Sequence, residues 1–158
     1  MRKLIEDLES AFEHTHQKTI DLLGSHSFED LFESQLDPEA SSAGMILIRS
    51  ASKVEQCFGG ITSRLWDDPF EWTLPESFCG PNRVFEYLSE VKKARDDGFR
   101  FLTSDSDLAK LIPTPAGMQT VFSVLLQSLL EAERLLAIAS AVSKTTDTNR
   151  GFPLTGSA

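Results

Sequence analysis

Three histidines, a loop-borne cluster of acids and tryptophans, and a polar row on the last long segment are the residues of this chain whose types could do chemistry. His14 and His16 stand two apart. On a helix, neighbours on one face are three or four apart, so this pair points in different directions and needs ligands from elsewhere to hold an ion. Surface imidazole is the plainer reading for both, and a solvated turn for His26. Asp67, Asp68 and Glu71 gather beside Trp66 and Trp72. Such carboxylates are oxygen ligands for a hard divalent cation, but they lack the regular alternation of a calcium loop. The plainer account has one aspartate capping the loop while the tryptophans anchor it. Gln127, Glu131 and Arg134 follow at intervals of four and three. Glu131 and Arg134 can pair on a helix, and the row is either ordinary flanking charge or the wall of a polar pocket between the second and fourth long helices.

Other chemistries find less to stand on. No G-x-S-x-G elbow is present to expose a serine nucleophile. Gly59-Gly60 lacks the lysine and spacing of a phosphate-cradling loop. Cys57 and Cys79 are too few for a secreted disulfide framework and lack metal-ligand spacing, so reduced thiols are expected. The formal charge of −9 works against nucleic acid, whose binding relies on basic patches that displace counterions. The densest basic group, Lys92, Lys93 and Arg95, runs straight into Asp96 and Asp97. No apolar run approaches a membrane span. The opening MRKLIEDLESAF places Glu6, Asp7 and Glu9 where a signal peptide needs apolar residues. The expectation is a cytoplasmic protein with neither nucleic-acid nor membrane partners.

The elements that must position these residues read as helices. With 41% hydrophobic and 25% charged residues the composition is globular, and 158 residues suit one domain. Leu4, Ile5, Leu8, Phe12, Thr15, Thr19 and Leu23 share one face of a first helix over Lys3 to Leu23, closed by Gly24. Ser27 opens a short turn of helix. Ser41 or Ser42 caps a second long helix that reaches Leu65, weakened by Gly59-Gly60, where either another helix crosses closely or the helix bends. The stretch WDDPFEWTLPESFCG, from Trp66 to Gly80, reads as a long irregular loop. Pro81 suits the first position of a third helix on which Arg95 would lay its stem across apolar surface. SDSDLAKLI gives a further short turn. Thr114-Pro115 then reads as a cap and first position for the last helix, with Met118, Val121, Phe122, Leu125, Leu129, Leu136 and Ala139 on its apolar face. Nothing reads as a β-sheet. The fold expected is an all-α four-helix bundle over residues 1–143, with short helical turns in the 1–2 and 3–4 connections and a flexible C-terminal tail over 144–158.

Four passages carry a family resemblance: TIDLLGSHSFEDL, SSAGMILIRSASKVEQCF, FEWTLPESFCGPNRVFEYLSEVKKAR and AGMQTVFSVLLQSLLEAERLLAIA. In order and character they resemble the DinB-like four-helix bundle superfamily, over roughly residues 4 to 143. The resemblance implies a divalent metal held by three histidines and thiol-using chemistry. The family's helix 2 histidine falls near Arg49 or Ser50, and its helix 4 pair near Glu131 and Leu135. None of these is histidine, so the chain resembles a member lacking the usual metal ligands.

That departure sets the functional expectations. The first is a non-catalytic or catalytically altered bundle without a resident cofactor, binding a small molecule or protein partner. Its candidate pocket is Arg49, Trp66, Trp72, Gln127 and Glu131, suited to a neutral or weakly cationic ligand. In a simpler account the tryptophans are a hydrophobic plug and Leu135 fills the old metal pocket. The alternative is a transferase or hydrolase of the family's type, with Zn or Ni held at a non-standard site by His14, His16, Asp67 and Glu131. Ile46 with Ile48, and Leu130 with Leu135, exceed what one apolar stripe per helix needs, which points to a homodimer surface.

Overall fold

A computed structural model describes residues 1–33, 41–68 and 80–150. Four long helices dominate: α1 (Lys3–Gly24), α3 (Ala43–Ser63), α4 (Pro81–Phe101) and α5 (Val121–Arg150). A short α2 (Phe28–Phe32) follows α1, and a 3-10 turn (Asp105–Ala109) follows α4. Between that turn and α5 stands an antiparallel hairpin, β1 (Leu111–Thr114) and β2 (Gly117–Thr120).

The hairpin corrects the expectation of a purely helical four-helix bundle, and with it the description of the chain as a clean DinB-like bundle. Thr114-Pro115 is not a helix start. Leu111 pairs with Thr120 and Thr114 with Gly117. The turn closes because the Thr114 hydroxyl donates to Gly117 O at 2.7 Å and accepts from Ala116 N at 3.2 Å. Gly117 takes φ +107°, which side chains rarely adopt. Pro113 has no N–H to give a helix. Ile112 is buried while Leu111 is exposed, the two-residue alternation of a strand. Helix α5 begins only at Val121, with the Thr120 hydroxyl accepting from Ser123 N. Met118, assigned by periodicity to the core face, is 61% exposed.

Local signals elsewhere match the sequence. Ser27 caps α2 through Asp30 N, and Ser42 caps α3 through Met45 N. Pro81 opens α4. Ser104 and Asp107 form a reciprocal capping box on the 3-10 turn. Helix α3 ends on Arg64 at φ 58°, where Leu65 N reaches back to Gly59 O and the Arg64 guanidinium donates to Ile61 O at 2.8 Å. The side chain thus serves carbonyls that the helix itself leaves unpaired.

Helix α3 lies between α4 and α5 and is the most deeply buried. Small residues let α5 approach it: the Ser50 hydroxyl donates to Ala132 O, and the Ser128 hydroxyl to Lys53 O. Phe12, Phe58 and Phe99 join α1, α3 and α4, Phe12 meeting the other two edge-on and Phe58 tilted against Phe99, with ring centroids 5.1 to 5.7 Å apart. Arg95 is not laid across the surface as expected but buried, 2% exposed. It donates to Phe12 O, Glu13 and Asp96, so each desolvated donor has a partner. A clasp closes one end of the molecule. Arg2 donates to Leu102 O and Phe99 O, while Asp105 accepts from the amides of Leu4 and Ile5.

Candidate ligand cleft

An open cleft of about 730 Å³, counted out to its open mouth, lies between α3, α5 and the hairpin turn. Trp66 forms one wall. Its indole lies against the backbone of α3 at Gly60, its Nε1 donates to Pro113 O at 3.1 Å, and its carbonyl accepts from Gln56 Nε2 at 2.6 Å. Helix, tryptophan and hairpin are thereby fixed together. Helix α5 contributes Gln127, Ser128 and Glu131, α3 contributes Lys53 and Cys57, and β2 contributes Gln119.

The charges of the cleft are already engaged. Lys53 Nζ is 2.9 Å from Asp68. Arg134 donates to both oxygens of Glu131, at 2.7 and 2.9 Å. This bidentate bond, with the field of Lys53, holds the Glu131 carboxyl below its ordinary range. Cys57 is buried, and burial pushes its thiol up to about 12, far from a nucleophilic thiolate. What remains for a ligand is amide chemistry. Gln127 gives one hydrogen bond to Ser123, and Gln119 makes no side-chain hydrogen bond among the described residues.

Of the pocket residues expected from sequence, Trp66, Gln127 and Glu131 line this cleft. Arg49 is exposed on α3 and lies outside the lining. Trp72 and Cys79 lie outside the described residues, so the plug account of Trp72 does too. Leu135 is buried in the bundle. The alternative metal set does not converge. His14 and His16 face the α4 side of α1, near Arg95, Asp67 is exposed beyond α3, and Glu131 is in the cleft. Among the described residues no group of three or more His, Cys, Asp or Glu side chains could hold a metal ion. No described helix is long and apolar enough to cross a membrane.

Sequence reasoning missed Lys53, Gln56 and Gln119. The first two carried a legible signal, since they interrupt the wide apolar arc of α3 on the side facing Gln127 and Glu131. Gln119 carried none, because it reaches the cleft through the hairpin.

No family model, no curated protein and no solved structure matches this chain. The resemblance to the DinB-like superfamily rests on the sequence pattern alone.

Proposed function

We propose that this chain is a non-catalytic binding protein whose cleft takes a small, neutral, polar ligand. The observation that carries the reading is the pre-paired charge of the site. With Lys53 on Asp68 and Glu131 clamped by Arg134, a charged ligand would have to displace an existing ion pair. A neutral ligand meets Gln119, Gln127 and the edge of Trp66 without that cost, the mixture of apolar wall and few polar groups usual in small-molecule sites. The nearest thiol is held protonated and the nearest carboxylate ionised, and neither is tuned toward the operating range of an acid or base.

Trp66 supplies the test. In a Trp72→Phe background it is the remaining tryptophan, since the chain has two. A panel of monosaccharides, N-acetylated amino-acid amides and their carboxylate counterparts is titrated while its emission is followed. A neutral compound that shifts the emission, and loses at least tenfold in affinity with Gln127→Leu, supports the reading. Tight binding of the carboxylates, or binding untouched by Gln127→Leu, contradicts it.

A second reading concerns self-association along α5. Ile48 and Leu135 are buried in the core, so they are not available to a partner, but Leu130 is 62% exposed. With Phe122 and Leu126 it forms an exposed apolar row at intervals of four. A homodimer through this row predicts a species of twice 17.5 kDa at micromolar concentration that Leu130→Glu abolishes.

A further inference from the structure

A second groove, of about 660 Å³ to its open mouth, lies where α3, α4 and the hairpin end together. Its floor is apolar and closed, formed by Ile61, Leu102, Ile112 and Val121, all buried. Its walls are apolar and open. Phe101 is 66% exposed and Leu111 62% exposed, with Leu65 at 62% close by in the chain. Scattered surface apolar residues need no explanation, but apolar walls over an apolar floor make a contiguous patch, and such patches mark interaction sites.

The groove also carries Arg64, Lys110 and Asp107, which leaves it an excess of cation in a chain that carries −9. Lys110 is paired with Asp107 at 2.6 Å. Arg64 is different. One of its nitrogens, Nη1, makes all of its side-chain hydrogen bonds, to Ile61 O and Gly60 O, and no carboxylate pairs with it among the described residues. Its backbone stands at φ 58°, a conformation uncommon for a residue with a side chain. A glycine would end the helix with less backbone strain; the arginine that stands here caps the helix end through Nη1 alone and leaves its other guanidinium nitrogens without a partner among the described residues.

We propose that this groove docks a peptide segment of a protein partner that presents an apolar side chain beside a carboxylate. The apolar group would enter between Phe101 and Leu111, and the carboxylate would meet the unused guanidinium nitrogens of Arg64. Charge complementarity decides the occupant. A second copy would bring another −9, whereas a short acidic-apolar segment brings its carboxylates to Arg64, which no carboxylate pairs among the described residues.

The test uses the full chain, isotopically labelled, and a capped seven-residue peptide of alternating leucine and glutamate. Two control peptides carry lysine for glutamate, or alanine for leucine. Amide shifts should map to residues 61–65, 99–102 and 110–112, and both controls should bind at least tenfold more weakly. Arg64→Gly keeps the left-handed helix end and removes the guanidinium; it should weaken binding at least tenfold with the spectrum otherwise intact. Leu111→Ser, at an exposed position, should do the same through the apolar wall. Shifts mapping elsewhere, equal binding of the lysine peptide, no shift at millimolar peptide, or undiminished binding by Arg64→Gly would each overturn the proposal. So would sedimentation showing a dimer that Arg64→Gly dissolves, which would assign the groove to a second copy.

Discussion

The six-membered ring of Trp66 lies so close to Gly60 that a Cβ there would stand 2.3 Å from it. The glycine is therefore a seat for the indole and not merely a weak point in α3. Gly60→Ala improves helix propensity by about 1 kcal/mol, but displacing a packed ring costs about 1–3 kcal/mol. The expected net result is destabilisation, read as a lower denaturation midpoint, with a red shift of Trp66 emission. Gly24→Ala is the contrasting control. Nothing lies within 4 Å of its added methyl, and stability should hold or rise slightly.

Arg95 tests the buried network between α1 and α4. Arg95→Met removes the donor to Phe12 O, Glu13 and Asp96. Breaking a buried ion pair typically costs 3–5 kcal/mol, and because Glu13 remains half exposed the loss should lie near about 3 kcal/mol. Urea unfolding measures it. Adding Glu13→Gln should restore part of the loss, since the unpaired carboxylate goes with it.

His16 should set a pH dependence of stability. Burial and the neighbouring Arg95 lower its pKa, with a smaller contribution from Lys92, while Glu13 and Asp96 oppose them. A group whose folded pKa is depressed contributes stability above its unfolded value, near 6.5 for histidine, and loses it as pH falls toward the folded value. Wild-type stability should thus decline as pH falls below about 6.5, and His16→Gln should flatten that decline. An unchanged slope in the variant would show that His16 does not titrate differently in the folded state.

Cys57 should be inert in the native protein. Its thiol is buried and pushed up to about 12. In a Cys79→Ser background, Ellman's reagent should find no thiol at pH 8 until urea unfolds the chain. Rapid native labelling would mean that α3 and α5 part readily.

The helices were legible because their signals are local. Ser27, Ser42 and Pro81 mark starts by hydrogen-bond chemistry within a few residues, and apolar positions three and four apart mark faces. The hairpin was not. Thr-Pro at 114–115 is compatible both with a helix start and with a two-residue turn. What decides between them is the positive φ of Gly117 and the pairing of Leu111 with Thr120, which is not written in either residue. The burial of Arg95 was equally hidden, because its acceptors on α1 lie more than eighty positions away. In the cleft, Gln127 and Glu131 were legible as a polar row on one helix face. Arg49 was placed with them by family pattern, but the rotation of α3 turns it outward.

The clasp between the first residues and the end of α4 sets an order of events. Arg2 and the amides of Leu4 and Ile5 find their partners about a hundred positions later. At typical synthesis speeds of 5–20 residues per second, that is roughly 5–20 s on the ribosome. Throughout that interval Ile5 and Phe12, both fully buried at the end, have no completed core to enter. Helix α1 is made well before the residues that secure it. Chaperone protection of α1 until α4 is made, or a slow final docking step on refolding, is the kinetic signature this connectivity imposes.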